Sequence, residues 1–367
     1  MGKWTHLIAE GLEGLAHKVT LWFGNEFPLF WRHRRLATLL YSLALALRLA
    51  RSRHRFDVVV IHEPSGFWYG ILRKVFSSLP PFVAMCHNVE SKHYKELLAA
   101  EKKGLTNVPR GMRVKVPLFR LWQSDGALKL ADHIVCLSKV DKDYLVESLG
   151  RSAEKISVLT NGVSLPDLFS IRSRTSARRV LFVGGWLDVK GRRLMPALWS
   201  DVVAEFPDAT LTLLGTGHSA ETVKRDFPVD VRSSISVIPR INGDEAMIGQ
   251  YADHDVFLMP SLSEGSPLSL LEAMASALPV VATSVGGIKD IVTDGSDGLL
   301  FDPASPVDGA RKINKLLSDE DFASRLGVSG RERVRKLTWL AAAKRLDTAL
   351  QRAGLGNNHA ITITVNQ

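Results

Sequence analysis

The sequence predicts an α/β protein made of two Rossmann-like, doubly wound parallel-sheet domains facing across a cleft. Three observations predict it. Short β-branched runs alternate with longer helical segments along the whole chain. The runs are near-continuously apolar rather than alternating, as suits strands buried on both faces. A chain of 367 residues, 46% hydrophobic and 23% charged, has the length and composition of two ordinary globular domains.

In the first half the strand candidates are residues 18–23, 57–62, 81–87, 133–138 and 156–160, with helical segments between them, for example 91–103 and 139–149. Residues 36–47 form the longest apolar stretch and end at Arg48. A membrane-spanning helix needs ~20 apolar residues, so this stretch reads as a core helix. Arg32, Arg34 and Arg35 flank it on one side and Arg51, Arg53 and Arg55 on the other. In the second half the strand candidates are 179–184, 210–215, 234–239, 256–260, 279–283 and 298–301. A turn-rich stretch at 161–170, followed by the basic run 172–179, places the boundary between a domain of residues 1–165 and one of residues 166–337. Residues 338–352 read as a last helix and 353–367 as a loose tail.

Composition excludes several classes. Cys86 and Cys136 each sit inside a predicted buried strand, so a disulfide scaffold is not expected and a reducing cytoplasm fits. Cysteine and histidine spacing suggests no metal site, and none is expected. The first residues lack the basic start and apolar core of a signal peptide. The net charge of +9 is uneven: residues 1–160 carry 24 Lys and Arg against 14 Asp and Glu, the rest 23 against 24. A basic first half suits an anionic membrane or a phosphorylated acceptor, or else is a plain solvated surface. Nucleic acid is a remote alternative that charge alone suggests, since no recognisable nucleic-acid module accompanies it.

The most informative stretch is 263–303. After a strand, Glu264 lies in a loop, Ser266 and Pro267 read as a helix cap and first turn, and Glu272 sits about a turn and a half into the helix. Amides at such a helix mouth can hold a diphosphate. A carboxylate beside it can accept hydrogen bonds from sugar hydroxyls, and a second, farther in, can take the paired hydroxyls of a ribose. Two glutamates eight apart mean little by themselves, since a solvated helix shows them too.

The segment as a whole is more specific, and it resembles the nucleotide-sugar site of glycosyltransferase family 4, a group of retaining enzymes with the GT-B fold. The matching residues are Glu264 and Glu272, Ala273-Met274-Ala275, Pro279 to Ala282, Gly286-Gly287, and Gly295 through Leu300; Lys289-Asp290 departs from the usual Pro-Glu. The stretch 180–193, with Gly184, Gly185 and Lys190, looks like the family's diphosphate clamp. Gly185 stands where the family commonly has an arginine, and Arg192 or Arg193 is a candidate to compensate. His87 resembles the family's strand-end histidine near the donor sugar, and Ser138, Asn161-Gly162, Gly215 and Trp339 fall in further matching segments. The resemblance covers roughly residues 7 to 350.

By that resemblance His87, Lys190 and Glu264 are the catalytic candidates. Gly184, Gly185, Lys190, Gly215, Glu264, Gly265, Ser266, Pro267, Leu268 and Glu272 would bind a UDP- or GDP-sugar donor. The implied reaction is retaining transfer to a glycan or lipid-linked acceptor, without cofactor or metal, in the cytoplasm or at the inner face of the membrane. The family begins with a strand and a Gly-Gly loop, whereas residues 4–17 already read as the next helix. The first strand is therefore expected to be missing, through a mis-set start or a shortened copy. A nucleotide-sugar-binding relative with little turnover is the alternative.

Overall fold

The structure, a computed structural model, describes residues 2–23, 37–166, 178–354 and 360–365. Arg32, Arg34 and Arg35, and residues 167–177 of the expected linker, lie outside the described residues. Twelve strands are described. They are β1 (Lys18–Phe23), β2 (Val58–His62), β3 (Phe82–Cys86), β4 (His133–Cys136), β5 (Ile156–Val158) and β6 (Arg179–Val183). They continue with β7 (Thr210–Leu214), β8 (Ile235–Ile238), β9 (Val256–Met259), β10 (Val280–Thr283), β11 (Leu299–Phe301) and β12 (Ala360–Val365).

The chain divides into two compact units, Met1–Lys95 with Val108–Asn161 and Trp339–Gln367, and Glu96–Asn107 with Gly162–Thr338. The predicted domain of residues 1–165 is thus interrupted, because 96–107 belongs to the second unit. Polar bonds explain why. Ser263 Oγ donates to Glu96 Oε2 at 2.6 Å, and Asp188 Oδ2 accepts from Thr106 Oγ1 at 3.4 Å and from the Asn107 amide at 3.2 Å.

The first unit's sheet has the order β1-β12-β2-β3-β4-β5, all parallel. The expected loose tail is therefore wrong for residues 360–365, which form a strand between β1 and β2. Ile361 and Ile363 point to one face, where they are buried with Ile8, Leu12, Val58, Val60 and Leu346. The entry to β12 is fixed by two bonds: the Asp57 amide donates to Ala360 O, and the Ala360 amide donates to Asp57 Oδ2, both at 2.8 Å. Helices Gly2–Glu13 and Trp339–Arg352 cover this face and pack on each other. The opposite face carries Leu45, Leu49, Tyr69 and Leu128 from helices Ala37–Arg51, Phe67–Val75 and Trp122–Leu130. Cys86 and Cys136 are free and buried there, and burial pushes both thiols up, away from the reactive thiolate.

The second unit's sheet has the order β11-β10-β9-β6-β7-β8, again parallel. The chain runs outward from β6 to β8, returns to β9 on the other side of β6, and runs outward to β11. The order reverses between β6 and β9, and in such sheets ligands bind past the carboxyl ends of the strands at that reversal. Apolar side chains fill both faces, with Trp199, Phe227 and Phe301 in one cluster and Tyr251, Phe257, Leu271 and Met274 in the other.

Candidate functional site

The strand reversal of the second unit brings two loops together. The loop after β6 passes Gly184 and Gly185, makes a 3₁₀ turn at Asp188–Lys190 and leaves through Gly191. The loop after β9 runs from Pro260 to Pro267. They are stitched by the Leu262 amide, which donates to Val189 O at 2.8 Å. Gly191 makes the approach possible: its φ is +84°, and a Cβ there would lie 2.1 Å from Pro260 O.

That approach sets Lys190 beside Glu264. Lys190 Nζ donates to Glu264 Oε1 at 2.6 Å, and Ser261 Oγ donates to the same oxygen at 2.7 Å. The lysine side chain is 34% exposed and the glutamate 9%. The Glu264 backbone is held as well, since its carbonyl accepts from the Gly287 amide at 2.9 Å. Gly286 beside it has φ +46°, and a Cβ there would meet Glu264 O at 2.1 Å. The Gly286-Gly287 pair is thus explained by the glutamate it cradles.

The helix that follows spans Leu268–Ala275, and its N-cap is Pro267, with no side-chain cap bond. The expectation of a Ser266 cap is corrected: proline takes that position with extended backbone at ψ 122°, and Ser266 lies one residue outside it. In a helix that starts at Leu268 the amides of 268–270 have no intrahelical acceptor, so they point out of the helix start, next to Glu264. Glu272 lies one turn in, where its Oε2 accepts from the buried Tyr251 hydroxyl at 2.9 Å. Burial and the Glu272 carboxylate hold the Tyr251 phenol well above its ordinary range. Gly215 follows β7, with φ +74°, and its amide donates to Ile238 O at 2.9 Å. Open space lies where its side chain would be.

The two candidate arginines each meet a carboxylate. Arg192 is held by both oxygens of Asp226, through Nε at 2.7 Å and a terminal nitrogen at 3.2 Å, and Trp186 Nε1 donates to Asp226 Oδ2 at 2.6 Å. Arg193 Nε donates to Asp188 Oδ2 at 2.7 Å. Each guanidinium is paired with a carboxylate and is also partly exposed. A cavity of about 380 Å³ lies beside them, lined by Gly104, Pro196, Arg192, Arg193 and Asp226, and none of the predicted donor residues lines it.

His87 belongs to the first unit. It follows β3, and its Nε2 lies 3.0 Å from His62 Nδ1, at the end of the neighbouring β2. The edges of the two imidazoles meet the buried Trp4 ring, with centroids at 5.0 Å for His87 and 5.5 Å for His62. Burial lowers the His87 pKa to about 4 and holds His62 well below its ordinary value as well. Both rings are neutral at neutral pH, which suits hydrogen bonding rather than charge neutralisation. Next to them Glu63 Oε1 accepts from the Ser124 hydroxyl and, at 3.1 Å, from the Glu90 amide. Burial, with the nearby Glu90 carboxylate, pushes the Glu63 pKa up to about 8.

His62, Glu63, Ser261 and Tyr251 were not among the sequence candidates. His62 alone left a signal, as a second histidine closing a predicted strand.

A doubly wound sheet with a helix mouth and an acid–lysine pair at its strand reversal defines a class, the α/β proteins that hold an anionic ligand at a topological switch point. The family is narrower. Residues 1–166 match Glycosyltransferase Family 4 and residues 177–319 match Glycosyl transferases group 1, and the chain belongs to this glycosyltransferase family. Among its curated relatives is an uncharacterized glycosyltransferase of Methanocaldococcus jannaschii, 32% identical over 57% of this chain and 56% of that one. A D-inositol 3-phosphate glycosyltransferase of Corynebacterium diphtheriae is 27% identical over 59% of this chain and 55% of that one. The chain thus spans about half the length of these relatives. Among solved structures it is similar to sucrose-phosphate synthase from Thermosynechococcus elongatus, with TM-score 0.69 and 21% identity over 88% of this chain and 79% of that one. Anabaena HepE in complex with UDP follows, with TM-score 0.63 and 17% identity over 84% and 82%. The fold is GT-B, two parallel-sheet α/β domains.

Proposed function

We propose that this protein transfers a sugar, with retention of configuration, from a UDP- or GDP-linked donor to a glycan or lipid-linked acceptor, at the cytoplasmic face of a membrane. The observation that carries the reading is the Lys190–Glu264 pair at the mouth of helix Leu268–Ala275, placed where the strand order reverses. Each part has a task. The helix-start amides and Lys190 face the diphosphate, and the lysine offsets the charge that grows on it as the glycosidic bond breaks. Glu264 accepts hydrogen bonds from sugar hydroxyls, with Gly265 and Ser266 beside it. Glu272 accepts from the ribose, and Gly184, Gly185 and Gly215 leave backbone room for the nucleotide. His87, neutral, offers a hydrogen bond to the sugar.

In the transfer the bond from the anomeric carbon to the diphosphate oxygen breaks, and a bond to the acceptor oxygen forms on the same face. The acceptor hydroxyl proton passes to the leaving phosphate, which gives glycoside and nucleoside diphosphate. No metal is assigned to this reading. The similarity to HepE bound to UDP and the family membership support the donor class. The relative that acts on an inositol phosphate supports a phosphorylated acceptor.

A panel of nucleotide sugars with nucleoside diphosphate release as readout, alongside calorimetric titration of donors and free nucleotides, tests the reading. Binding and release with one donor are expected. A folded chain that gives no heat with any donor or nucleotide would overturn it. A second reading, donor binding with little turnover, is favoured by Gly185 and by the carboxylates that occupy Arg192 and Arg193. Heat without release in the presence of acceptors selects it.

A further inference from the structure

We infer that the helical surface from Arg110 to Trp122, in the first unit, is a docking site for an anionic lipid bilayer. Three consecutive segments, helix Arg110–Val116, a π-helical turn Pro117–Leu121 and helix Trp122–Leu130, run on from one another. Neither of the first two contains a buried residue. A helix normally buries an apolar stripe against its own protein, and this one turns its apolar side chains outward. Val114 is 64% exposed, Leu118 58% and Phe119 51%, and Met112 and Trp122 are exposed with them.

Spacing gathers these side chains. Val114, Leu118 and Trp122 follow each other at four-residue intervals, and Met112 and Phe119 are seven apart, so each set stacks along one side of a helix. Trp122 Nε1 donates to Leu118 O at 2.8 Å, which satisfies its polar edge, and the ring packs edge to face with Phe67, with centroids at 4.9 Å, while keeping 42% of its surface exposed. Isolated exposed apolar residues need no explanation, but five large ones within eleven positions do.

The charge pattern selects the occupant. Arg110, Arg113, Lys115 and Arg120 are interleaved with the apolar residues, and no Asp or Glu occurs from residue 102 to residue 124. Arg120 is paired with Glu90 from outside the segment. A second copy of this chain would set like charges against each other across a symmetric contact, whereas anionic headgroups meet them with opposite charge. Apolar and aromatic side chains among cations, on a helix, are what lies flat in the headgroup boundary. No helix among the described residues is long and apolar enough to cross a membrane. Attachment through this surface is therefore interfacial. The inference sharpens the lipid-linked acceptor of the proposed function, though it stands on this surface alone.

Co-sedimentation of the full chain with vesicles of phosphatidylglycerol and phosphatidylcholine, against phosphatidylcholine alone, tests it. Binding is expected to the anionic vesicles only and to weaken with salt. Leu118→Ser with Phe119→Ser should lower it at least tenfold, as should Arg113→Glu with Lys115→Glu, with circular dichroism and donor calorimetry unchanged. Vesicle binding that both double variants retain would overturn the proposal. So would a folded, donor-binding parent chain that ignores the vesicles, or a parent dimer that the variants convert to monomer without any vesicle affinity. Loss of donor heat in the parent chain would instead fault the proposed function.

Discussion

Lys190 Nζ sits 2.6 Å from Glu264 Oε1, joining residues that are 74 positions apart in the chain. The amine is partly in solvent and the carboxylate is not. The pair is held together by loop geometry: the bend at Gly191 and the Leu262–Val189 bond bring the two loops against each other. Such a pair is poised to exchange partners. In the proposed transfer, a diphosphate at the helix mouth would compete for the amine and sugar hydroxyls would take the carboxylate.

Replacing the lysine tests this directly. Lys190→Ala is expected to lower kcat about 10²–10³-fold, the usual cost of one electrostatic group at a developing charge. Stability should fall by less than about 1 kcal/mol, because the lysine end of the pair is screened by water. Steady-state kinetics and a urea midpoint check both. Unchanged kcat would remove Lys190 from the reaction.

The proposed function assigns nucleotide binding to Glu272 and sugar binding to Glu264. Glu272→Ala should weaken free nucleoside diphosphate and donor by the same factor, about 10-fold or more for the loss of hydrogen bonds to a charged acceptor. Glu264→Gln should weaken the donor and leave the free nucleotide unchanged. Calorimetry on both ligands decides, and equal losses in the Glu264 variant would deny its contact with the sugar.

Much of this was written in the local sequence. All eleven strand candidates are strands within two residues at each end, because parallel strands buried on both faces leave unmistakable apolar runs. The helix mouth was legible for the same local reason, although its cap was placed one residue early. What stayed hidden depends on distant residues. The bonds of Glu96 to Ser263 and of Lys190 to Glu264, and the meeting of His62 with His87, follow from sheet order and loop approach, which no window of sequence carries. The strand at 360–365 lies in the stretch read only as a loose tail, where Ile361 and Ile363 alternate with Thr362 and Thr364 rather than forming a continuous apolar run.

That alternation leaves a mark on stability. Thr362 and Thr364 are buried, and among the described residues their hydroxyls have no hydrogen-bond partner. Valine has the same shape without the hydroxyl. Thr362→Val and Thr364→Val are each expected to raise stability by about 1 kcal/mol, the order of an unmet polar group. Ile363→Asp, which places a charge in the cluster with Leu12 and Leu346, should unfold the first unit. If both valine variants destabilise and Ile363→Asp is silent in a thermal melt, β12 does not occupy the sheet in solution.

Glu63 gives the first unit a pH signature. Its folded pKa of about 8 stands above the unfolded value near 4.5, raised first by burial and then by Glu90. A raised value means the folded state keeps its proton where the unfolded chain has lost it. The contribution to stability is therefore complete below about pH 4.5 and is lost as pH rises through 8. The buried histidines act with the opposite sign: His87 and His133, with values near 4, cost stability as pH falls below 6.5. The window between 6.5 and 8 thus isolates Glu63 from them. Across it the parent should lose up to about 1.4 kcal/mol per pH unit relative to Glu63→Gln, which cannot ionise and keeps an acceptor for Ser124. Urea midpoints at two pH values in that window measure the difference. Parallel curves for parent and variant would mean that Glu63 is already ionised in the folded protein.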